Sequence, residues 1–576
     1  MKFNLPVIMA AGILTGLMLT TVLTTTNQPW PEQLLWVQTV VIAGGCLVLA
    51  TRLLRPLTPR LTVADIIMAA WWLYAVLRTY LGNGDTPACQ QIIGYTTVTA
   101  TYTMTRLLPD RQPTRQEAMP LLLLAATIYE IVIGLWQAAT GTSHHRLYLA
   151  TGSMFNPGPY SAYVAMGMAL AIAILHDARD ADWHKPQKAM LLSWCAVVVV
   201  AGCLIVSLTR SRSAIIAVAW AVAWAFRNVI KRKYAVGAVA VATVATVALF
   251  YMKMGSAMGR VVIWRQAIDM LAGQPLFGVG IGAFPEEYGK QLYSFFADKG
   301  NVHAFAQYAD VADYAFCDLL QVFAEQGIIG GGLCMAFVAV SLKGLYRHSP
   351  RLFLPFATLV VFSLFSYPMQ LLPLQVVAVC MAACGQTHCR GLHTRRWIAT
   401  VASAICSVAA LCCHSIAKPR VEAQSEYAAI RGMTHSMFIA DYYRLYPLCD
   451  DDKHFLFDFA RLLQANSRHL DACAVLRQGT NVSGDPMFLV LMGNCFKDMR
   501  QYNNAVKCYD RAFGMLPNRI YPLYKKMSLY NEVGDSAKTR QTARKLLGVR
   551  PKVESSATRA MREEARHHIS RMIIWK

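Results

Sequence analysis

Two arginines stand two positions apart in Thr209-Arg210-Ser211-Arg212, directly after the apolar run 190–208. A guanidinium stays ionised and presents a planar fork of donors, so such a pair suits a diphosphate held at a membrane surface. Snorkelling to lipid headgroups is the plainer use of the same side chains. A second chemistry-bearing stretch is the loop 253–321, rich in aromatic residues and carrying Arg260, Arg265, His303, Asp313 and Asp318, with Glu325 just beyond it. His303, Asp313 and Asp318 could each accept a proton from a hydroxyl if their surroundings set a suitable pKa. An exposed loop histidine is the plainer reading of His303. Glu325 could act as a base or hydrogen-bond an arginine. In Asn156-Pro157-Gly158-Pro159 the prolines break any preceding helix, leaving a re-entrant turn or a tight entry loop. Asn156 there could touch a ligand. The adjacent His144 and His145 lack a third ligand at helical or turn spacing, so no metal is expected.

These residues need a scaffold, and composition says which kind. The chain has 576 residues, 55% hydrophobic and 15% charged, whereas soluble globular chains carry roughly 25% charged residues. That excludes a single soluble enzyme domain, and it excludes disorder, which needs low hydrophobicity and high charge. Apolar stretches long enough to cross a bilayer recur at 6–26, 33–50, 62–81, 89–105, 118–138, 158–175, 190–208, 213–226, 234–252, 322–342, 352–367, 370–386 and 397–416. The first is too long for the apolar part of a signal peptide and is read as retained. The expectation is an all-α polytopic protein of about 12–13 transmembrane helices: a membrane domain over 1–417, with its loop at 253–321, and a helical domain over 418–576.

Orientation follows from where positive charge accumulates. Alternate loops carry Arg52, Arg55 and Arg60; Arg106, Arg111 and Arg115; Arg179, Lys185 and Lys188; Arg227, Lys231, Arg232 and Lys233; Lys343, Arg347 and Arg351; Arg390, Arg395 and Arg396. The net charge of +22 is therefore largely a topology signal, and these brief, dispersed clusters do not suit nucleic acid. With the N-terminus inside, thirteen crossings put the tail outside, which in a bacterial inner membrane is the periplasm. Arg210 and Arg212 then break the rule by lying on the outer side.

Four pieces resemble the O-antigen ligase and polysaccharide polymerase superfamily, which includes protein O-glycan ligases. Residues 151–160, TGSMFNPGPY, are similar to its Gly-x-Phe-x-Asn-Pro segment, and 207–214, SLTRSRSA, to its Ser-Arg-Ser/Gly-Ala element. Gly259, Arg260, Trp264, Ala267 and PLFGVG at 275–280 resemble the start of its large periplasmic loop. Residues 318–321, DLLQ, with 324–330, AEQGIIG, resemble that loop's end. The resemblance implies a metal-independent glycosyltransferase that needs no cofactor. It would pass a glycan from a polyprenyl-diphosphate lipid to a hydroxyl of lipid A core, another glycan or a protein. Such a reaction must neutralise a leaving diphosphate and align the acceptor. On this analogy Arg212 and Arg260 are diphosphate ligands, with Arg210 the alternative or additional member and Arg265 weaker. Asn156, Glu325 and His303 are expected as substrate contacts, and Asp318, with Asp313 and His303 as rivals, as the proton acceptor.

One departure stands out. The family has a histidine, then Asn, Ser or Gln, then nine residues before Gly-x-x-Gly; with Gly327 and Gly330 setting the register, Phe316-Cys317 occupy those two positions. Either the base lies elsewhere, little base is needed, the acceptor differs, or the protein is a non-catalytic glycan-handling scaffold. A transporter would show internal halves and mid-membrane charges, but Asp65, Glu130 and Glu325 are nearly the only acids in the spans.

Beyond Lys418 the composition turns polar and helical. Gly493, Tyr502, Ala505, Tyr509, Ala512 and Pro517 resemble a tetratricopeptide repeat, and Pro517 to Pro551 spans its 34-residue period. Stacked hairpins would bury Phe457, Leu463, Phe488, Leu491, Tyr509, Phe513, Tyr524 and Leu529 and offer a surface to a protein partner. Arg559, Arg562, Arg566 and Arg571 form a basic stripe, usually a solvated face. Most of the sixteen cysteines lie within spans, where they act as small apolar residues. Cys449, Cys473, Cys495 and Cys508 are in the tail, and no pairing follows from sequence.

Overall fold

A computed structural model describes residues 5–21, 30–54, 60–81, 88–108, 114–177, 185–227, 254–386, 392–393 and 396–570. Its helices begin with α1 (Leu5–Met18), α2 (Glu32–Leu54), α3 (Val63–Leu81), α4 (Ala88–Leu107), α5 (Thr114–Thr140), α6 (Pro157–Asp177), α7 (Lys185–Thr209) and α8 (Arg212–Ala225). Next come α9 (Met254–Gly273), α10 (Phe284–Phe295), α11 (Lys299–Phe305), α12 (Asp318–His348), α13 (Pro350–Ser363), α14 (Leu372–Gly385) and α15 (Arg396–Ile430). The last are α16 (Ile439–Leu445), α17 (Lys453–Ala465), α18 (His469–Val482), α19 (Met487–Asp498), α20 (Tyr502–Met515), α21 (Tyr521–Glu532), α22 (Ser536–Gly548) and α23 (Ser556–Ser570). One strand pairing occurs among the described residues, Arg60 with His393 and Leu61 with Leu392.

By length and apolarity six stretches suffice to cross a membrane: Glu32–Ala50, Glu117–Thr140, Pro157–Asp177, Lys188–Thr209, Asp318–His348 and Trp397–Ile430. The expected spans 1, 8, 11 and 12 appear as the shorter apolar helices Ala10–Thr21, Arg212–Ala225, Pro350–Ser363 and Leu372–Gly385. Spans 3 and 4 are α3 and α4, less apolar because α3 carries Asp65 and Arg78 and α4 is rich in threonine and glutamine. The span 234–252, the end of 6–26, and Arg55, Arg111, Arg179, Lys231, Arg232, Lys233, Arg390, Arg395 and Arg571 lie outside the described residues. The chain is an all-α, multi-pass membrane protein.

The described residues fall into two compact units. The first runs over 1–81, 89–251 and 316–421, the second over 82–88, 252–315 and 422–576. The loop assigned from sequence to the membrane domain thus packs, up to Ala315, with the C-terminal helices.

In the first unit α6 is the central helix: 89% of its span is buried, against 28% for the α7 span. Small residues make this possible, since without a hydrophobic drive between helices in lipid, close backbone approach supplies the packing. A Cβ on Gly167 would run into Thr127 of α5, and one on Gly202 of α7 would come within 2.6 Å of Met168. Asp65, an acid inside α3, is paired with Arg106 at 2.9 Å and also accepts from Tyr102 and Thr62. α12 is broken at Gly327, where φ 65° and ψ −166° interrupt the helix. The break is braced: Tyr74 donates to the Gln326 carbonyl at 2.5 Å, Trp71 donates to the Gln326 side chain at 2.8 Å, and that side chain donates to Tyr95.

In the second unit α17 to α23 each pack on the next. The intervals between Pro486, Pro517 and Pro551 each hold one helix pair, α19 with α20 and α21 with α22. Leu463, Phe488, Leu491, Tyr509 and Leu529 are buried as expected, while Phe457, Phe513 and Tyr524 are only half-buried. α10 from the loop seats against α18 and α20. A Cβ on Gly289 would lie 2.6 Å from the Cα of Gly484, so two glycines set that close approach. Cys473 and Cys495 meet between α18 and α19.

Candidate functional site

The Arg-bearing turn is built by two helix ends. α7 stops at Thr209, Arg210 takes a left-handed φ of 51°, and Ser211 caps α8 by accepting from the Ala214 N–H at 3.3 Å. Arg212 is thereby the first residue of α8, at the end of the helix whose dipole favours an anion. Arg210 is exposed and Arg212 half-buried. Ser213, buried one position on, donates to the Phe365 carbonyl at 3.0 Å.

Asn156 sits on a loop that is held from α5. Gln137 accepts from the N–H groups of Thr151 and Gly152 at 2.9 and 2.8 Å and donates to the Gly152 carbonyl at 2.7 Å. Glu130 accepts from the Ser153 N–H at 3.0 Å and its hydroxyl at 2.5 Å. Gly152 has φ 59°, and a Cβ there would collide with the Glu130 carboxylate and the Tyr160 ring. Asn156 Oδ1 accepts from the Gly158 N–H at 2.9 Å, so it works as a helix cap. Pro157 and Pro159 fall in the first turn of α6, where a missing N–H costs nothing.

Asp318 opens α12 and is buried. Its carboxylate accepts from the Met369 N–H at 3.0 Å and from the Gln370 side chain at 3.4 Å. Phe316, at the position of the family histidine, has φ 54° and sets its ring edge-on to Tyr367 with centroids 5.2 Å apart. Asp318, Gln321 and Glu325 share one face of α12 and line a cavity of about 460 Å³ with Trp71 and Trp72 of α3 and Tyr95 of α4. Gln321 donates to Glu325 at 3.0 Å.

Three of the expected pieces therefore meet one segment that sequence reasoning passed over, 363–371 between α13 and α14. Ser213 bonds Phe365, Asp318 holds Met369 and Gln370, and a Cβ on Gly158 would stand 3.9 Å from Ser366 Oγ. The available signal was SYPMQ at 366–370, a polar run with a proline between two apolar stretches.

The remaining expected residues lie in the second unit. Arg260 is half-buried on α9, whose Trp264 donates to the Ala315 carbonyl at 3.0 Å. Arg265 places its guanidinium over the Phe295 ring, 5.1 Å from the centroid, so it serves the packing of the loop. His303 is exposed in the last turn of the seven-residue α11. Asp313 is bonded through both oxygens to Lys453 at 2.6 Å. His145 Nδ1 accepts from the Leu147 N–H. Among the described residues no three His, Cys, Asp or Glu side chains are grouped to hold a metal ion.

The profile of the O-antigen ligase family matches residues 196–335, less than half of the chain. The matched stretch contains the Arg-bearing turn, the start of the large loop and the α12 acids, and it supports a place in that superfamily, with ligase- or polymerase-type glycan chemistry in general. No curated protein matches the chain.

Proposed function

We propose that this chain is an integral-membrane glycosyltransferase that takes a glycan from a polyprenyl-diphosphate lipid and passes it to an acceptor hydroxyl at the periplasmic face of a bacterial inner membrane. The observation that carries the reading is the convergence on 363–371 of the Arg212 turn, the first turn of α6 at Gly158 and Asp318 within one compact unit. Arg212, with Arg210 as an additional partner, and Arg260 are assigned to the diphosphate. Their charge offsets the negative charge that develops as the bond from the anomeric carbon to the diphosphate oxygen breaks. The acceptor oxygen forms the new bond to that carbon. Its proton is assigned to Asp318, whose second oxygen can take it while the Met369 N–H stays bonded. Asn156 orders the loop beside the site through its cap. Glu325 with Gln321 lines the cavity against α12. Arg265 and His303 take no part in this step. The tail is read as tetratricopeptide-like and periplasmic.

A second reading, a non-catalytic glycan-handling protein of the same fold, is favoured by Phe316 standing where the family has its histidine. Surface-glycan profiling of a deletion strain complemented with wild type, Arg212→Ala, Arg260→Ala or Asp318→Asn separates the two. Loss of attached or polymerised glycan on deletion, restored by wild type and by neither arginine variant, supports transfer. Full complementation by both arginine variants leaves the scaffold. The glycan species that disappears identifies the acceptor as lipid A core, a growing glycan or protein.

A further inference from the structure

The second unit joins the large loop to the C-terminal helices through specific polar contacts. Asn518 is buried just after Pro517, and its amide donates to two loop carbonyls, Ala306 at 2.6 Å and Ala309 at 3.0 Å. Asp310 is bridged by Arg519 and Lys552, each at 2.8 Å. Asp313 is bridged by Lys453. These contacts bind 306–313 to α17 and to the turns following α20 and α22. The bound stretch in turn bears on α9. A Cβ on Gly259 would stand 3.1 Å from the Tyr308 carbonyl, so the helix lies close against the clamped segment one residue before Arg260.

We infer that the C-terminal helices are a positioning device for Arg260, acting through Asn518 and the Asp310 and Asp313 bridges on segment 306–313, and not a separable partner-docking module. The inference rests on the function proposed for Arg260, but its structural half stands apart from that function. Ion pairs of this exposure hold register weakly one by one. The buried Asn518 amide, which donates to the Ala306 and Ala309 carbonyls at once, is the keystone.

The test uses the full-length protein in native membranes. Asn518→Ala, Asp313→Lys, Lys453→Asp and the Asp313→Lys/Lys453→Asp pair are compared with wild type and Arg260→Ala. Hydrogen exchange over 254–310 and glycan transfer are both read, with expression matched. Expected are faster exchange in 254–268 and about tenfold less transfer for each single variant, since a shift of about 1 Å can cost far more than that. Both readouts should return to within about twofold of wild type in the charge-reversed pair. Wild-type exchange over 469–548 in the single variants separates loss of the clamp from unfolding of the tail. Unchanged exchange in 254–268 for Asn518→Ala overturns the inference, as does faster exchange with wild-type transfer. Normal transfer by Arg260→Ala defeats the proposed function instead, and the exchange data then decide the clamp alone.

Discussion

The hydroxyl of Ser213 donates to the carbonyl of Phe365 at 3.0 Å, joining positions 152 apart in the chain. It fixes the start of α8, and so Arg212, to the segment that also holds Asp318. Ser213→Ala leaves the Phe365 carbonyl without that donor and should cost about 1 kcal/mol. Thermal unfolding of the purified protein should show a small drop while surface glycan falls several-fold. A stability loss with wild-type glycan would mean that Arg212 needs no such anchor.

Asp318 combines two roles that substitution can separate. Asp318→Asn keeps one oxygen that can accept from the Met369 N–H, whereas Asp318→Ala keeps none. The Asn variant should fold nearly as wild type yet transfer little, and the Ala variant should lose about 1–3 kcal/mol as well. Wild-type transfer by the Asn variant would make Asp318 a strut for 363–371 and not the proton acceptor.

Gly327 adopts φ 65° and ψ −166° at the break in α12, a region open almost only to glycine. Gly327→Ala should cost about 1–3 kcal/mol of strain. The Gln326 contacts with Trp71, Tyr74 and Tyr95 should loosen with it, which tryptophan fluorescence and melting temperature would report. An unaltered melting curve would show that α12 tolerates another backbone there.

Gly152 combines φ 59° with a Cβ position occupied by the Glu130 carboxylate and the Tyr160 ring. Gly152→Ala should therefore displace the Ser153 bonds to Glu130 and free the Asn156 loop. A cysteine placed at Ser143 in the same loop should label faster in that background. Equal labelling rates would show that the loop adjusts without giving up Glu130.

The loop clamp should be acid-sensitive. Burial works against the Asp310 carboxylate, but the Lys552 ammonium and Arg519 guanidinium outweigh it and hold its pKa below 3.8. A depressed carboxylate contributes stability above its unfolded pKa and loses it as pH falls through the folded value. Protection over 306–310, corrected for the intrinsic pH dependence of amide exchange, should stay flat from neutral pH down to about 4, the ordinary carboxylate range, and fall only below it. A fall already between pH 5 and 6 would assign the clamp to another group.

Much of the membrane part was legible because its signals are local. Apolar length marks a span, and SLTRSRSA or AEQGIIG can be read without knowing what they touch. The turn at 209–212 fell between the apolar runs 190–208 and 213–226, and Asp318 opens α12. The tail's proline spacing likewise foretold its helix pairs. The segment 363–371 was missed because its importance is a matter of partners: Phe365 offers Ser213 only a backbone carbonyl, which has no sequence signature. Asp313 and Lys453, 140 residues apart, likewise cannot be paired by inspection.

By itself the sequence determined that this chain is helical and crosses a membrane repeatedly, because burying a backbone in hydrocarbon leaves the helix as the way to satisfy its hydrogen bonds here. It also determined where the chemistry-bearing side chains sit along the chain. The tertiary structure alone decided that Gly158, Ser213 and Asp318 adjoin the segment 363–371, and that the large loop to Ala315 belongs with the C-terminal helices. The reason is physical: those pairings are made by carbonyls, glycine contacts and single ion pairs between residues far apart. Their partners are selected by packing, after the local pattern has already been spent on making helices.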